Sequence, residues 1–339
     1  MPPTSCVPGA CAGRCASRTG TPCCTGPASS ATSNSNSRSG ATGAPRARGD
    51  AQQAQALYRE AATERDFHGF LAADRIGAPY AFGHRAVQVD ADVRRALEGR
   101  PGIRRARELL ALERLHPARA EWNAALRDAG PDELRAAARI AADWGWHEQP
   151  IFLLARAQDW DDVSLRFPVA WRELAEREAR ANGLDPALVM AIIRRESAFN
   201  PQARSPAAAR GLMQLIPGTG RRMARALGEP WSLSSLYEPA VNIRYGAHYF
   251  AGLLRDLGHP ALAAAAYNAG PGRIPRWRPR GEPLPADIWI ETITFGETRA
   301  YVAAVLAYAL IYQHQLGGQP QRLSQLLPPV QPHIEVGAR

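Results

Sequence analysis

DPALVMAIIRRESAFNPQARSPAAARGLMQLIPGTG, residues 185–220, is the stretch from which the fold of this chain is read. Asp185 and Pro186 form an N-cap and first-turn pair, since aspartate accepts from the free N–H groups of a helix start and proline needs no N–H there. Val189, Ile192, Ile193 and Glu196 then recur at i, i+3, i+4 and i+7, one face of a helix that should turn inward. Arg194 and Arg195 fall on other faces by the same geometry. A carboxylate on an apolar face must be paired, neutral or functional, because an unpaired buried charge is costly. A hydrophobic setting raises a carboxyl pKa to as much as about 6, where the group donates a proton near neutral pH. That is the property a general acid for glycosidic cleavage needs. Taken alone, such a glutamate is more often a structural salt-bridge partner.

Upstream, from about residue 51 to 171, alanine, leucine and arginine recur at three- and four-residue steps. Ile103 to Leu115, Pro117 to Ala129 and Pro131 to Trp144 are each about one helix long and are separated by Pro or Gly. Serial helices of this kind read as a solenoid in preference to a compact bundle. Trp122, Trp144, Trp146 and Trp160 read as core before they read as sugar-stacking platforms. After RFPVAW (Arg166 to Trp171) the composition shifts toward Gly, Pro, Asn and Tyr, which sets an expected boundary near residue 165. The expectation is an all-α chain: helical superhelix or linker at 51–164, a catalytic domain at 165–317, and a loose Pro- and Gln-rich tail at 318–339.

Residues 1–50 are Ser, Thr, Gly, Ala, Pro and Arg with almost no large apolar side chain, so they are expected to be disordered. They contain no apolar stretch of about 7–15 residues after a basic start, so no signal peptide is visible. A misplaced start or a frame shift that replaces an export signal and further helices is one reading of them. All five cysteines lie here, without accompanying histidines, and read as incidental. No apolar run approaches the roughly 18 residues of a membrane span, so no integral membrane segment is expected. The net charge is +9 and every basic residue is arginine, because the chain has no lysine. That balance favours an anionic partner without naming one. No nucleic-acid recognition motif accompanies it, and scattered arginines are usually a solvated face.

Three ordered blocks carry a specific resemblance. RRESAFNPQARSPAAARGLMQLIPGTG (Arg194 to Gly220), AAAYNAGPGRIPRW (Ala264 to Trp277) and WIETITFGETRAYV (Trp289 to Val302) together resemble the catalytic domain of the soluble lytic transglycosylases. HGFLAA (His68 to Ala73) and RFP are similar to the linker portion of that family's helical superhelix and cover only part of it, and on this resemblance the chain is expected to be a truncated version. The resemblance implies a lysozyme-like catalytic domain preceded by part of a superhelix, acting on the glycan strands of peptidoglycan in the periplasm. It implies no metal and no cofactor. It makes Glu196 the catalytic acid and base and assigns Ser205, Met213, Gln214, Tyr267, Asn268 and Glu297 to substrate binding, with Gln214 meeting an acetamido sugar. Ser205 has a turn-capping alternative. Arg299 is expected to pair with Glu297, with a peptide carboxylate as the alternative partner, and Tyr301 to pack or line the cleft. Ala208 stands where the family usually has glycine, which would add strain if that backbone needs positive φ.

An ordinary glycosidase needs two carboxyl groups, whereas Glu238, Asp256, Asp287, Glu291 and Glu297 lack a comparable apolar helix face. The resemblance implies that Glu196 protonates the oxygen between N-acetylmuramic acid and N-acetylglucosamine. The muramic acetamido group then stabilises the developing cation, and Glu196 takes the proton of the C6 hydroxyl as it closes on C1. The product is a 1,6-anhydromuramic acid end. A hydrolytic lysozyme is the nearest alternative, and a peptidoglycan-binding module without catalysis is another.

Overall fold

The computed structural model describes residues 51–332. Within them the regular structure is helical, and the only bridges are the isolated pairs Arg204–Arg210, Arg210–Leu215 and Leu284–Val330. The helices in chain order are α1 (Ala51–Ala61), α2 (Phe67–Ile76), α3 (Ala91–Gly99), α4 (Pro101–Ala111), α5 (Leu115–Ala125), α6 (Pro131–Asp143), α7 (Glu148–Arg156), α8 (Val163–Arg166) and α9 (Arg172–Ala181). They continue with α10 (Pro186–Ser197), α11 (Pro217–Ala226), α12 (Pro239–Leu257), α13 (Pro260–Ala269), α14 (Ile274–Trp277), α15 (Ala286–Thr292), α16 (Gly296–Gln315) and α17 (Leu323–Leu326). Proline opens α4, α6, α10, α11, α12 and α13, where its fixed φ suits the first turn and its missing N–H costs nothing. No described helix is long and apolar enough to cross a membrane. The five cysteines and the low-complexity start lie outside the described residues.

The chain folds as two compact units, neither continuous in sequence. One holds Phe82–Arg204 with Arg210–His248. Its upstream core is built from α3 to α8 around Trp122, which is fully buried and meets the rings of Trp144 and Trp146 at 5.4 and 5.6 Å. Trp160 is exposed, with the Arg166 guanidinium 4.4 Å above its ring. Its second focus is α10, where Val189, Met190, Ala191, Ile192 and Ile193 are all buried. A helix apolar on consecutive positions is enclosed on every side, so α10 is surrounded where the sequence pattern indicated a single inward face. Arg194, expected on an outer face, is buried for the same reason.

The other unit holds Ser205–Ala209, the described part of Met1–Ala81, and the described part of Tyr249–Arg339. At its centre Ala261 to Ala266 of α13 are buried without exception, and methyl side chains let neighbouring helices approach closely. The early helix α2 is fastened here by ion pairs from Arg75 to Asp287 (2.7 Å) and from Arg322 to Asp74 (3.3 Å). The stretch from Gly318 that composition marked as loose is docked as far as its described residues run. Leu323 and Val330 are fully buried, Leu284 and Val330 exchange backbone hydrogen bonds of 3.0 and 2.8 Å, and the Tyr80 hydroxyl accepts from the Leu323 N–H at 2.6 Å. Its prolines prevent a long helix, but two apolar anchors suffice to hold it.

Candidate active site

Asp185 caps α10 as its position requires, accepting from the Ala187 N–H at 2.8 Å. The helix ends at the half-buried Glu196 and at Ser197, whose hydroxyl donates back to the Ile193 carbonyl at 3.1 Å. It stops because Ala198 and Phe199 both adopt left-handed backbone, at φ 50° and 66°. Each such residue other than glycine costs roughly 1–2 kcal/mol, so something must hold the turn. Phe199 is fully buried and its ring lies parallel to that of Trp171, 6.2 Å away. Trp171 is itself left-handed, at φ 53°. Arg194 ties the same segment down, donating through Nε to the Arg166 carbonyl at 2.7 Å with its guanidinium 5.2 Å from the Phe167 ring. RFPVAW therefore braces the end of the helix that carries Glu196.

The next loop is held by its own backbone. Gly211 N–H donates to Ala203 O at 2.9 Å, and Arg210 and Leu215 exchange hydrogen bonds of 3.0 and 3.1 Å. Gln214, at φ 47°, gives its side-chain amide nitrogen to the carbonyls of Ala203 (3.1 Å) and Gly211 (2.9 Å). It acts as a brace, and those donors are committed within the protein. Met213 is fully buried, and a Cβ on Gly246 would lie 2.3 Å from its sulfur. Its side chain fills the core.

Asn242 on α12 organises this loop, and the sequence reading missed it. It is buried; its Oδ1 accepts from Met213 N–H at 2.7 Å, and its Nδ2 donates to the carbonyls of Arg210 (2.9 Å) and Leu236 (2.7 Å). Gly211 is the residue that admits this amide: at φ 76°, a Cβ there would lie 2.1 Å from Leu236 O and 2.4 Å from Asn242 Nδ2. The available signal was the pairing of Asn242 with Gly246 at i+4, which puts an amide and a bare backbone on one helix face.

In the second unit, Ser205 closes its own turn. Its hydroxyl accepts from Ala209 N–H at 3.1 Å, its N–H donates to Ala209 O at 3.0 Å, and its carbonyl accepts from Ala208 N–H at 3.0 Å. The capping role is realised, and the hydroxyl proton is still able to donate elsewhere. Ala208 sits at φ 63°, so the conformation glycine would suit is adopted by alanine. Tyr267 and Asn268 occupy the last turn of α13. The Tyr267 ring meets those of Tyr249 and Phe250 at 5.4 and 5.9 Å, and Asn268 Oδ1 accepts from the buried Thr298 hydroxyl at 2.7 Å. Gly270, at φ 88°, ends the helix.

His259 begins α13. Its Nδ1 accepts from Ala261 N–H at 3.1 Å while Nε2 donates to Pro328 O at 2.8 Å, and burial pushes its pKa down, so the ring is neutral with its proton on Nε2. Glu297 is exposed in the first turn of α16. Tyr301 is buried. Arg299 does not pair with Glu297 as expected: it donates to Ile293 O at 2.9 Å, and its Nε lies 3.8 Å from the Glu291 carboxylate. Glu291 also bonds His68 at 3.1 Å, which holds its carboxyl below the usual range. Asp287 is taken by Arg75. The seven anticipated site residues thus divide between the units, with Glu196, Met213 and Gln214 in one and Ser205, Tyr267, Asn268 and Glu297 in the other.

Three family models match this chain in sequence. The transglycosylase SLT domain covers residues 173–288, the L domain of the soluble lytic murein transglycosylases covers 96–163, and the soluble lytic transglycosylase helical domain covers 292–321. The soluble lytic murein transglycosylase of Salmonella typhimurium is 33% identical over 281 residues, which is 82% of this chain and 43% of the relative. That of Escherichia coli K12 is 32% identical over the same shares. Among solved structures, an inactive mutant of the lytic transglycosylase Slt from Pseudomonas aeruginosa superposes with a TM-score of 0.82 at 42% identity, covering 87% of this chain and 48% of that one. The 70 kDa soluble lytic transglycosylase of Escherichia coli gives 0.77 at 31% identity, covering 86% and 48%. The chain spans less than half the length of these relatives.

Proposed function

Because the chain belongs to the soluble lytic murein transglycosylase family, we propose that it cleaves the β-1,4 bond between N-acetylmuramic acid and N-acetylglucosamine and leaves 1,6-anhydromuramic acid ends. Glu196 acts first as acid and then as base. The observation that carries this reading is its setting: Glu196 is the only acid on α10, half-buried at the end of an otherwise enclosed apolar helix and followed by two strained residues. A carboxyl in the last turn of a helix sits at the negative end of the helix dipole, which favours its neutral form. Backbone strain held in place by packing is a mark of functional sites.

The reaction needs no second carboxyl in the protein. The muramic acetamido group stabilises the developing charge, and the C6 hydroxyl is a tethered nucleophile with high effective molarity. Ser205 offers a hydroxyl donor, while Tyr267, Asn268 and Glu297 offer ring, amide and carboxylate contacts to sugar. Gln214 and Met213 support the reading as the braced loop that follows Glu196. The assignment of 51–164 to the helical linker and 165–317 to the catalytic domain rests on the two family matches on either side of residue 165. The relatives' cell-wall substrate points to a periplasmic site of action.

The test is mass spectrometry of fragments released from purified sacculi by the wild-type protein and by Glu196→Gln. Fragments one water lighter than hydrolysis products, absent with the variant, are expected. Reducing-end fragments would make the protein a lysozyme, and retained turnover by Glu196→Gln would remove Glu196 from the chemistry.

A further inference from the structure

HGFLAA (His68 to Ala73) on α2 has no part in the proposed proton transfers, yet its residues are closely set. Asp66 caps the helix, accepting from the Gly69 N–H at 2.8 Å. A Cβ on Gly69 would lie 2.1 Å from the Glu64 carbonyl oxygen, so only glycine lets the chain turn this tightly into α2. Phe67, Phe70, Ala72 and Ala73 are buried. That turn and that buried face fix where His68, in the first turn of α2, projects. It reaches α15, 223 residues away in sequence, where its Nε2 lies 3.1 Å from Glu291 Oε1. A carboxylate only accepts, so His68 donates. The other Glu291 oxygen faces Arg299 of α16, 3.8 Å from its Nε. Arg299 in turn donates to the carbonyls of Ile293 (2.9 Å) and Glu291 (3.4 Å), closing the short connection between α15 and α16. Gly296 follows that connection and gives its backbone extra freedom. Glu297 comes next, and then Thr298, which donates to Asn268 at 2.7 Å. All of these residues lie in one compact unit, where α2 also packs against α16.

We propose that His68 is a positioning residue for substrate binding: through Glu291 it orients Arg299, and through Arg299 it sets the connection that presents Glu297 to the sugar. His68 and Arg299 are partly exposed and Glu291 is exposed, so the contacts add little to stability. Their effect is on direction. An exposed carboxylate beside a glycine loses freedom on binding, and a tie that orders it beforehand removes part of that cost. The effect falls on affinity, because no group in this chain of contacts is the proposed acid or base. The inference rests on the transglycosylase reading for the sugar contact of Glu297, and it extends the site to a helix outside the three segments matched by the family models. Arg75, also on α2, supplies an internal control: it pairs with Asp287 of α15 at 2.7 Å. That link fastens the same two helices without passing through Arg299.

Affinity and backbone order are read separately, on the full chain. Peptide-free peptidoglycan strands are titrated into the Glu196→Gln protein, to hold substrate without turnover, and into the same protein carrying His68→Ala, His68→Gln or Arg75→Ala. His68→Ala should bind about three- to tenfold more weakly. His68→Gln, whose amide can donate to the same carboxylate, should stay within about twofold of its parent. Arg75→Ala should lower thermal stability and leave affinity unchanged. In a Glu297→Gln background the effect of His68→Ala should shrink below about twofold, because the residue being positioned is gone. Without substrate, amide hydrogen exchange at residues 293–299 should be faster in His68→Ala than in Arg75→Ala. Equal weakening by Arg75→Ala, an undiminished effect in the Glu297→Gln background, unaltered exchange at 293–299, or no binding by the Glu196→Gln parent overturns the proposal. Cleavage of the same strands by the wild type is measured alongside. Its absence with binding retained removes the transglycosylase reading and leaves the positioning role standing.

Discussion

Replacing Asn242 tests whether one buried amide holds the loop that follows Glu196. In Asn242→Ala three hydrogen bonds are lost, to Met213 N–H, Arg210 O and Leu236 O. Each contributes about 1 kcal/mol net, and a buried group left without a partner adds a penalty of about 1–3 kcal/mol. Allowing the two carbonyls to relax, the expected loss is about 3–4 kcal/mol. Asn242→Asp has the same shape and separates hydrogen bonding from space filling. It keeps the acceptor for Met213 N–H but sets a carboxylate oxygen against two carbonyl oxygens now 2.9 and 2.7 Å from Nδ2. At pH 7 it should be at least as destabilised as the alanine variant. On acidification the carboxyl protonates and can donate to one carbonyl, so its gap from wild type should narrow. Urea denaturation of wild type and both variants at pH 7 and at acid pH reads these differences. An aspartate variant as stable as wild type at pH 7, or a gap that ignores pH, would refute the account.

Ala208→Gly should stabilise the protein by about 0.5–1 kcal/mol, because relief of a left-handed alanine outweighs the extra freedom of glycine in the unfolded chain. Ala207→Gly, at a neighbouring residue without positive φ, should not stabilise, and an equal response of the two in urea midpoint would defeat the argument. For His259 the folded pKa lies below its ordinary value. As pH falls through about 6.5 the unfolded chain takes up a proton that the folded chain refuses, so stability declines from there down to the folded pKa. His259→Asn keeps a cap for α13 without titrating, and its stability-against-pH curve should be flatter below pH 6.5. Some slope should persist from His147, whose pKa burial also lowers. A curve as steep as wild type would remove His259 from the acid response.

The start of α10 was legible to the residue, because Asp185 and Pro186 act through local chemistry that any surroundings would preserve. Its enclosure was not. Periodicity assigns a helix one wet face, and only the packing of distant segments reveals that Arg194 is covered by Phe167. The expected Arg299–Glu297 pair failed for a reason that helix geometry already contains: residues two apart on a helix point to different sides. Arg299 instead reaches Glu291, on the preceding helix. Asn242 escaped because its partners are up to 32 residues away in sequence and are backbone atoms, which leave no mark in a side-chain pattern. Likewise Leu323 and Val330 hold down a stretch whose composition reads as loose, since docking depends on two side chains and the surface beneath them.

Most of the strained positions point to the same region as the motifs, by independent reasoning. Of the seven described non-glycine residues with positive φ, Glu113 and Gln158 lie upstream, while five, Trp171, Ala198, Phe199, Ala208 and Gln214, fall within the segment matched by the transglycosylase domain or two residues before it. Each is held by something specific: Trp171 and Phe199 by their mutual stacking, Gln214 by two hydrogen bonds of its own amide, and Ala208 by the closed turn of Ser205. A helix that merely needed to end after Ser197 could have used a single glycine at no conformational cost. Two consecutive left-handed residues, one of them a fully buried phenylalanine, fix the direction in which the chain leaves Glu196 far more tightly than glycine would. That rigidity suits the role proposed for Glu196, giving a proton to one oxygen and then taking one from another without moving away.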